Sequence, residues 1–385
     1  MRLFNNENAV PFSATMSILY YSLAHSNGKS ESKLIVMFGW ILRLLGFINL
    51  GVFTCHHLVT SVRDGIHVDI SEDISCMVGG TVAIIMVSLF KYWERKWSKL
   101  MADVVDFSKF GQPPEFHEFS KRMNMLSKVS FAGFNLAGFT YIIVAYNATS
   151  YCKGLNEEMG LHEFCGYYTS IRLPFEGNSL MVRLPIFLTQ VVVSNTSLMA
   201  AAHLTFVMYE ITEYLILHIK QLKQNLVEVF DAESSQECSD RLKFCVIYHL
   251  HILKLIERLS SISKFTIGDL SLTAAIVFGC IGNQIVKVKS AASVAYFVAY
   301  VAALFYICHS GQRVADETHS LGYALYESKW HEADAKIMRD VVLVLCRCRK
   351  PGTLEALPLG DLNYPLFLMI MKSAYTYLTL LTQTT

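Results

Sequence analysis

Seven apolar blocks divide the chain. Leu34–Cys55 is interrupted only by Arg43, Ile74–Phe90 is short but uncharged, and Val129–Ala148 and Leu184–Tyr209 carry no charge. Ile267–Val286 contains only Asp269, Ala291–Gly311 is uncharged, and Leu362–Thr385 contains only Lys372. Each block reaches or approaches the roughly 20 residues that a helix needs to cross a bilayer. None alternates apolar and polar positions, as a membrane barrel strand would. The pattern predicts an all-α, seven-transmembrane helical bundle. Residues 1–33 precede it, helices one to six fill 34–310, a cytoplasmic stretch covers 311–361, and the seventh helix fills 362–385.

Between blocks the helical period continues. Ile211–Phe230 extends the fourth block with apolar residues at helical spacing, and Asp231–Asp240 is a polar break. Arg241–Lys264 then reads as an amphipathic helix entering the fifth block. Val314–Cys348 reads as helical until Lys350-Pro351-Gly352 ends it. Helices four to seven should therefore project into the cytoplasm. Their apolar stripes either pack within one subunit or form a hub shared by several.

Composition fits this class. The 385 residues are 53% hydrophobic and 17% charged, against about 45–50% and about 25% in a soluble domain. The net charge of +1 comes with no basic stripe and no acidic tail, so nothing points to nucleic acid. Residues 1–33 lack the basic, apolar and cleavage regions of a secretory signal. Lysine and arginine are distributed unevenly. With the N-terminus cytoplasmic, 25 lie inside and six outside, while Arg43 and Lys372 fall within spans. The positive-inside rule therefore places the N-terminus in the cytoplasm and, after seven crossings, the C-terminus outside. A G-protein-coupled receptor has the opposite orientation. Its Asp-Arg-Tyr and Asn-Pro-x-x-Tyr signatures are also missing from the third and seventh spans.

Chemistry-bearing residues are sparse. No G-x-S-x-G, P-loop or nucleotide-binding glycine turn occurs, so no enzyme and no cofactor is expected. The ten cysteines show no metal spacing. Cys152 and Cys165 share the outer segment 149–183, as a disulfide or as two free thiols. Asn147-Ala148-Thr149 is a glycosylation acceptor at the outer end of span three. His56 and His57 are expected to be exposed at the outer end of span one. Arg43 and Lys372, costly in lipid, need a partner, water or a route to the boundary.

The last 75 residues resemble the end of the insect odorant receptor family. The match rests on Gly311, Ser320, Ala324, Tyr326 and Trp330 in GQRVADETHSLGYALYESKW, then on Arg349, Pro351, Leu354 and Ala356 in RKPGTLEA. Phe367, Lys372, Ser373, Tyr375, Tyr377 and Thr379-Leu380-Leu381 continue it, and Leu45-Gly46 and YHLHILKLIERL fit more loosely. Insect gustatory receptors end in Thr-Tyr, five apolar residues and Gln-Phe. Here Thr376-Tyr377 and Gln383 match, but Thr384 replaces the Phe.

The resemblance implies an odorant-binding subunit of a ligand-gated, non-selective cation channel. It implies a tetramer with odorant receptor co-receptor subunits, in the plasma membrane of olfactory sensory neurons, with no G protein required. A gustatory channel for a tastant and a membrane transporter remain as alternatives. The seventh helix would line the pore, with Thr376, Leu380 and Thr384 at i, i+4 and i+8 on one face. By motif match, Leu380 and Thr384 occupy positions where apolar residues narrow the co-receptor pore. Lys372 would stand on the inner pore wall or snorkel to the boundary.

A volatile organic ligand needs an apolar, aromatic cavity with few polar anchors. In the deduced topology the outer half of the bundle offers four sets of candidates. They are Met77, Val78 and Thr81 in span two; Phe139, Ile142 and Tyr146 in span three; Phe187, Gln190, Val191 and Ser194 in span four; and Tyr296, Phe297 and Tyr300 in span six. Ordinary helix packing is the alternative for each residue taken singly.

Overall fold

A backbone in hydrocarbon must satisfy its own hydrogen bonds, and helices do so locally. The computed structural model describes residues 10–26, 33–63, 70–147, 149–159, 165, 167–169, 171, 179–289, 291–356 and 358–384. Among these, the only strands are the antiparallel pair β1 (Glu355–Ala356) and β2 (Gly360–Asp361). Helix α1 is Ser13–Tyr21. Helix α2 joins Lys33–Gly46, a π-helical stretch Phe47–Phe53, and Thr54–Arg63. Next come α3 (Ser71–Tyr92), α4 (Glu94–Val104), α5 (Phe116–Asn147) and α6 (Thr149–Met159). Helix α7 joins Leu180–Val193, a second π-helical stretch Ser194–Met199, and Ala200–Glu228. The rest are α8 (Ser235–Thr266), α9 (Gly268–Val288), α10 (Ala291–Tyr326), α11 (Ala335–Cys348) and α12 (Tyr364–Thr384).

Five segments are long and apolar enough to cross a membrane: Lys33–Arg63, Ser71–Tyr92, Met181–Asp231, Gly268–Lys287 and Ala291–Tyr326. The third and seventh apolar blocks of the sequence lie on α5 and α12, which pack into the same bundle against α10 and α9. Helix α10 runs along α7, and α9 lies between α3 and α12. The long extensions of α7, α8 and α10 carry the bundle's core onward. In it Tyr248 is fully buried, its ring stacks on Phe110 at 4.0 Å, and its hydroxyl meets His218 Nδ1 at 2.8 Å.

Two expectations need correction. The predicted helix 314–348 breaks after Tyr326 and resumes at Ala335. Ser328 Oγ donates to the Leu325 carbonyl at 2.6 Å and Trp330 Nε1 to the Tyr326 carbonyl at 3.1 Å. Side chains thus take the carbonyls that a further turn would use. His57 is buried rather than exposed, because Asp73 in the first turn of α3 reaches its Nδ1 at 2.6 Å. Residues 10–26 pack on the bundle. The Ala14 N–H donates to Asn124 Oδ1 at 3.1 Å, and Asn124 Nδ2 donates to the Val10 carbonyl at 2.8 Å, docking α1 on α5.

The stretch after α1 is tied to α4. Glu94 accepts from the Ser26 backbone and lies 3.0 Å from His25 Nδ1 and 3.2 Å from Lys91 Nζ. Burial alone would raise its carboxyl, but the bonds from His25 and Ser26 and the Lys91 charge outweigh burial and hold it at about 2. Arg43, inside span one, is buried and donates to the Leu23 carbonyl, so its partner is structural.

The RKPGTLEA stretch docks on α8 and α10. The Gly352 N–H donates to Thr318 Oγ1 at 3.0 Å, the Glu355 N–H donates to Ser260 Oγ at 3.1 Å, and Leu354 and Ala356 are fully buried. The chain then crosses α10 at Gly311, where a Cβ would come within 2.0 Å of the Leu362 carbonyl oxygen. Overpacking costs about 1–3 kcal/mol, which exceeds the ~1 kcal/mol that alanine gains over glycine in a helix. Gly311→Ala should therefore lower the melting temperature in detergent. Gly133→Ala, with nothing within 4 Å of its Cβ, should hold or raise it. Equal effects would contradict this docking.

Candidate functional site

Four helices present one stripe each, at i, i+3, i+4 and i+7, to a common space. The stripes are Cys76, Gly79, Gly80 and Ala83 on α3; Phe134, Ala137, Gly138 and Tyr141 on α5; Leu198, Ala201, Ala202 and Thr205 on α7; and Tyr296, Ala299, Tyr300 and Ala303 on α10. The middle pair of each stripe is small, apart from Tyr300 on α10. The helices cannot fill the level at which they meet, and a cavity of about 110 Å³ remains. Leu50 and Leu198–Met199, from the two π-helical stretches, also border it. An apolar cavity of about 150 Å³ holds benzene, so the volume suits a small organic molecule. Met86 and Met199 at the wall have the flexibility to yield to a larger one.

Tyrosines form the polar part of the wall. The Tyr141 and Tyr168 rings lie 5.0 Å apart, Tyr141 and Tyr296 6.5 Å, and Tyr296 and Tyr300 6.0 Å. The Tyr141 hydroxyl donates to Glu72 Oε1 at 2.7 Å. Ser194 donates to the Tyr168 hydroxyl at 2.9 Å. Gln190 accepts from the Tyr168 N–H at 2.9 Å and donates to Thr169 Oγ1 at 3.2 Å. The Tyr300 hydroxyl is buried beside Thr273, which gives its own hydrogen to the Asp269 carbonyl at 3.2 Å and keeps its oxygen available as an acceptor. Tyr296 fits only because position 79 is glycine; a Cβ there would meet its hydroxyl at 2.4 Å.

The structure sorts the expected ligand residues. Tyr296 and Tyr300 line the cavity. Phe139, Ile142, Val191 and Ser194 border instead a small recess of about 10 Å³ on another face of α5. Gln190 and Ser194 position the segment 167–169 from behind. Met77, Val78 and Thr81 flank the α3 stripe without lining the cavity, and Phe297 packs on Phe278 at 5.4 Å. Phe187 is half-buried away from it, and Tyr146 is 71% exposed. The differences share a cause: sequence gives depth along each helix but not its rotation, and the residues facing the cavity lie about one position away on α3 and on α5.

Cys152 and Cys165 are joined in a disulfide with a Cα–Cα distance of 5.7 Å. It anchors the chain two residues before Tyr167 and Tyr168, which are both buried. Asn147 is exposed at the end of α5, and Ala148 of its acceptor triplet lies outside the described residues.

Helix α12 has two faces. Leu366, Ile370 and Ala374 are buried, whereas Lys372, Thr376 and Leu380 are exposed. Thr376 donates to the Lys372 carbonyl at 3.1 Å, Thr379 to that of Thr376 at 2.8 Å, and Thr382 to that of Leu378 at 3.1 Å. The backbone of α12 extends to Thr384; that side chain and Thr385 lie outside the described residues.

A sequence model of the 7tm odorant receptor family matches residues 70–375. The chain belongs to that family. Odorant receptor 85b of Drosophila melanogaster is 24% identical over 202 residues, 51% of this chain and 52% of that one. Odorant receptor 22c of the same species is 28% identical over 161 residues, 40% of this receptor and 39% of its own length. The odorant receptor coreceptor of Harpegnathos saltator is 23% identical over 147 residues, 37% of this chain and 31% of its own. The alignments thus span about a third to a half of these relatives. The olfactory receptor OR5 from Machilis hrabei superposes with a TM-score of 0.78 over 96% of both chains, at 15% identity. The same receptor in complex with eugenol gives 0.75. The likeness establishes the fold, an all-α helical bundle.

Sequence reasoning missed Tyr141, Tyr168, Cys76, Gly79, Gly80 and Met199. The stripes on α3, α5 and α7 were in principle readable, since a small pair flanked at three residues recurs in each of those blocks. Tyr168 left no such trace, because the segment that carries it has no period. The corrected geometry separates two substitutions. Tyr300→Ala should shift odorant potency about tenfold or more, the ~1.4 kcal/mol per decade that a lost ring contact supplies. Tyr146→Ala should leave dose–response curves unchanged. The reverse pattern in receptors of equal surface abundance would move the ligand site elsewhere.

Proposed function

We propose that this chain is the odorant-binding subunit of a ligand-gated, non-selective cation channel. It assembles as a tetramer with odorant receptor co-receptor subunits in the plasma membrane of olfactory sensory neurons. The observation that carries this reading is the enclosed, tyrosine-walled cavity among α3, α5, α7 and α10. A void of that character suits a volatile organic molecule, and the OR5 receptor of similar fold has been solved with eugenol. Similarity to coreceptors supports a partner built on the same plan.

The exposed face of α12 supports its role as pore lining. Lys372, Thr376 and Leu380 lie on its exposed face, while Leu366, Ile370 and Ala374 seat the helix on its neighbours. Leu380 is an apolar ring position at which a pore dewets and closes. Thr376 and Thr379 return their hydroxyls to helix carbonyls, which leaves Leu380 as the narrowing group. Orientation follows the 25-to-six distribution of basic residues, with the N-terminus cytoplasmic and α12 rising outward.

Ligand binding reaches α12 through α10. The helix that holds Tyr296 and Tyr300 also holds Gly311, which presses on Leu362 two residues before α12 begins. A ligand that shifts the upper part of α10 moves the base of the pore helix.

Co-expression tests the assignment. Odorant-evoked cation current should arise from this chain together with the co-receptor and not from this chain alone. Current from this chain alone would favour a self-sufficient channel of the gustatory type, and ligand flux without conductance would favour a transporter.

A further inference from the structure

Helices α3 and α9 leave the apolar zone together. Two segments fit to cross a membrane, Ser71–Tyr92 and Gly268–Lys287, end and begin there. The cavity uses α3 only as far as Met86. Past Tyr92 a separate groove of about 470 Å³ opens between α4 and α8. Trp93, Ile262 and Phe265 form its floor, and Lys96, Lys99 and Arg258 its rim.

The floor is aromatic. Trp93 and Phe265 meet edge to face at 5.9 Å, and Phe265 is still 47% exposed. Lys96 Nζ lies 5.2 Å from the Trp93 ring centroid, and Lys264 Nζ 5.5 Å from that of Phe265. Aromatic rings at the ends of spans mark the membrane–water boundary. An exposed phenyl ring at that level is poorly placed against water and well placed against a lipid glycerol or upper acyl chain.

The rim is cationic. Lys96 and Lys99 stand three residues apart on α4 and share a face. Among the described residues neither pairs with a carboxylate. Arg258 gives Nη1 to Asp103 Oδ2 at 2.6 Å. Glu94, the acid at the start of α4, is engaged by Lys91 and His25. Three cations therefore face the groove against one carboxylate. An apolar floor at the boundary beneath a cationic rim at phosphate height complements an anionic phospholipid.

We propose that this groove binds the phosphorylated headgroup of an anionic phospholipid of the inner leaflet. Lys96, Lys99 and Arg258 hold the phosphates, and Trp93, Ile262 and Phe265 hold the glycerol and upper chains. The choice of leaflet rests on the orientation proposed above; the site itself does not depend on odorant-gated current.

The test uses the full chain purified with its co-receptor in phosphatidylcholine nanodiscs. It is titrated with dioctanoyl phosphatidylinositol bisphosphate, and thermal stability is read without odorant. The expected result is saturable stabilisation, weaker with dioctanoyl phosphatidylserine and absent with added phosphatidylcholine. Lys96→Gln with Lys99→Gln should raise the half-saturating concentration about tenfold. Lys99→Gln alone should raise it by a smaller factor and serves if the pair fails to fold. Lys96→Arg with Lys99→Arg should restore binding, and Lys243→Gln, on an exposed face of α8, should change nothing. Overturning results are no stabilisation, equal stabilisation by phosphatidylcholine, or an unchanged titration in the Gln variants. Equal binding of soluble inositol trisphosphate would also overturn the assignment, by making the site one for a free phosphate. If the lipid binds as expected while odorant current fails, the channel reading falls and this one stands.

Discussion

At one level of the bundle, Gly79, Gly138, Ala201 and Ala299 approach from four helices, and no side chain among them is long enough to close the gap. Small residues let helices approach closely where they touch. Here they coincide around one space and leave it hollow. An unfilled apolar cavity costs about 24 cal/mol per Å³, so a void of about 110 Å³ costs roughly 2–3 kcal/mol. At Gly79, Gly80 and Gly138 an added Cβ would strike Tyr296, Leu50 or Met199, so the packing that holds these helices together also keeps the space open. A chain that keeps the void is built to be completed by something else, and a molecule that fills it recovers the same free energy on binding.

The surrounding polar groups follow from that hollow. Tyrosines reach inward where glycine and alanine leave room, and three of their neighbours, Glu72, Ser194 and Gln190, occupy the polar atoms of Tyr141 and Tyr168. The Tyr168 hydroxyl accepts from Ser194 and keeps its own hydrogen, and the Tyr300 hydroxyl is buried beside Thr273. A ligand with an acceptor therefore meets tyrosine O–H groups in an otherwise apolar wall. The π-helical stretches at Phe47–Phe53 and Ser194–Met199 each add a residue to a turn beside this space, and such bulges are frequent at functional sites. From there α10 carries the change downward to Gly311, where backbone meets backbone and no side chain can absorb it.

The architecture was legible because lipid imposes it. Seven apolar blocks became seven long helices in the bundle, and the amphipathic extensions of α7 and α8 appear where their period placed them. The break after Tyr326 was illegible, since it depends on Ser328 and Trp330 folding back on carbonyls rather than on any breaker residue. The cavity was half legible. Depth along the helices picked out Tyr296 and Tyr300, which line the cavity, but rotation about the helix axis is set by neighbours, so Phe139 and Thr81 face away from it. His57 was misjudged for the same reason, because its partner Asp73 lies on another helix.

Photolabelling tests the hollow most directly. A small odorant analogue bearing a diazirine, activated on the assembled receptor and followed by peptide mass spectrometry, reads which side chains border the bound ligand. Label should fall on the α3, α5, α7 and α10 stripes, with Gly79–Ala83, Phe134–Tyr141, Leu198–Thr205 and Tyr296–Ala303 as the modified peptides, and excess unlabelled odorant should abolish it. Competable label confined to Phe139, Ile142 and Val191, or to the exposed face of α12, would show that the ligand binds elsewhere and that the void serves another purpose.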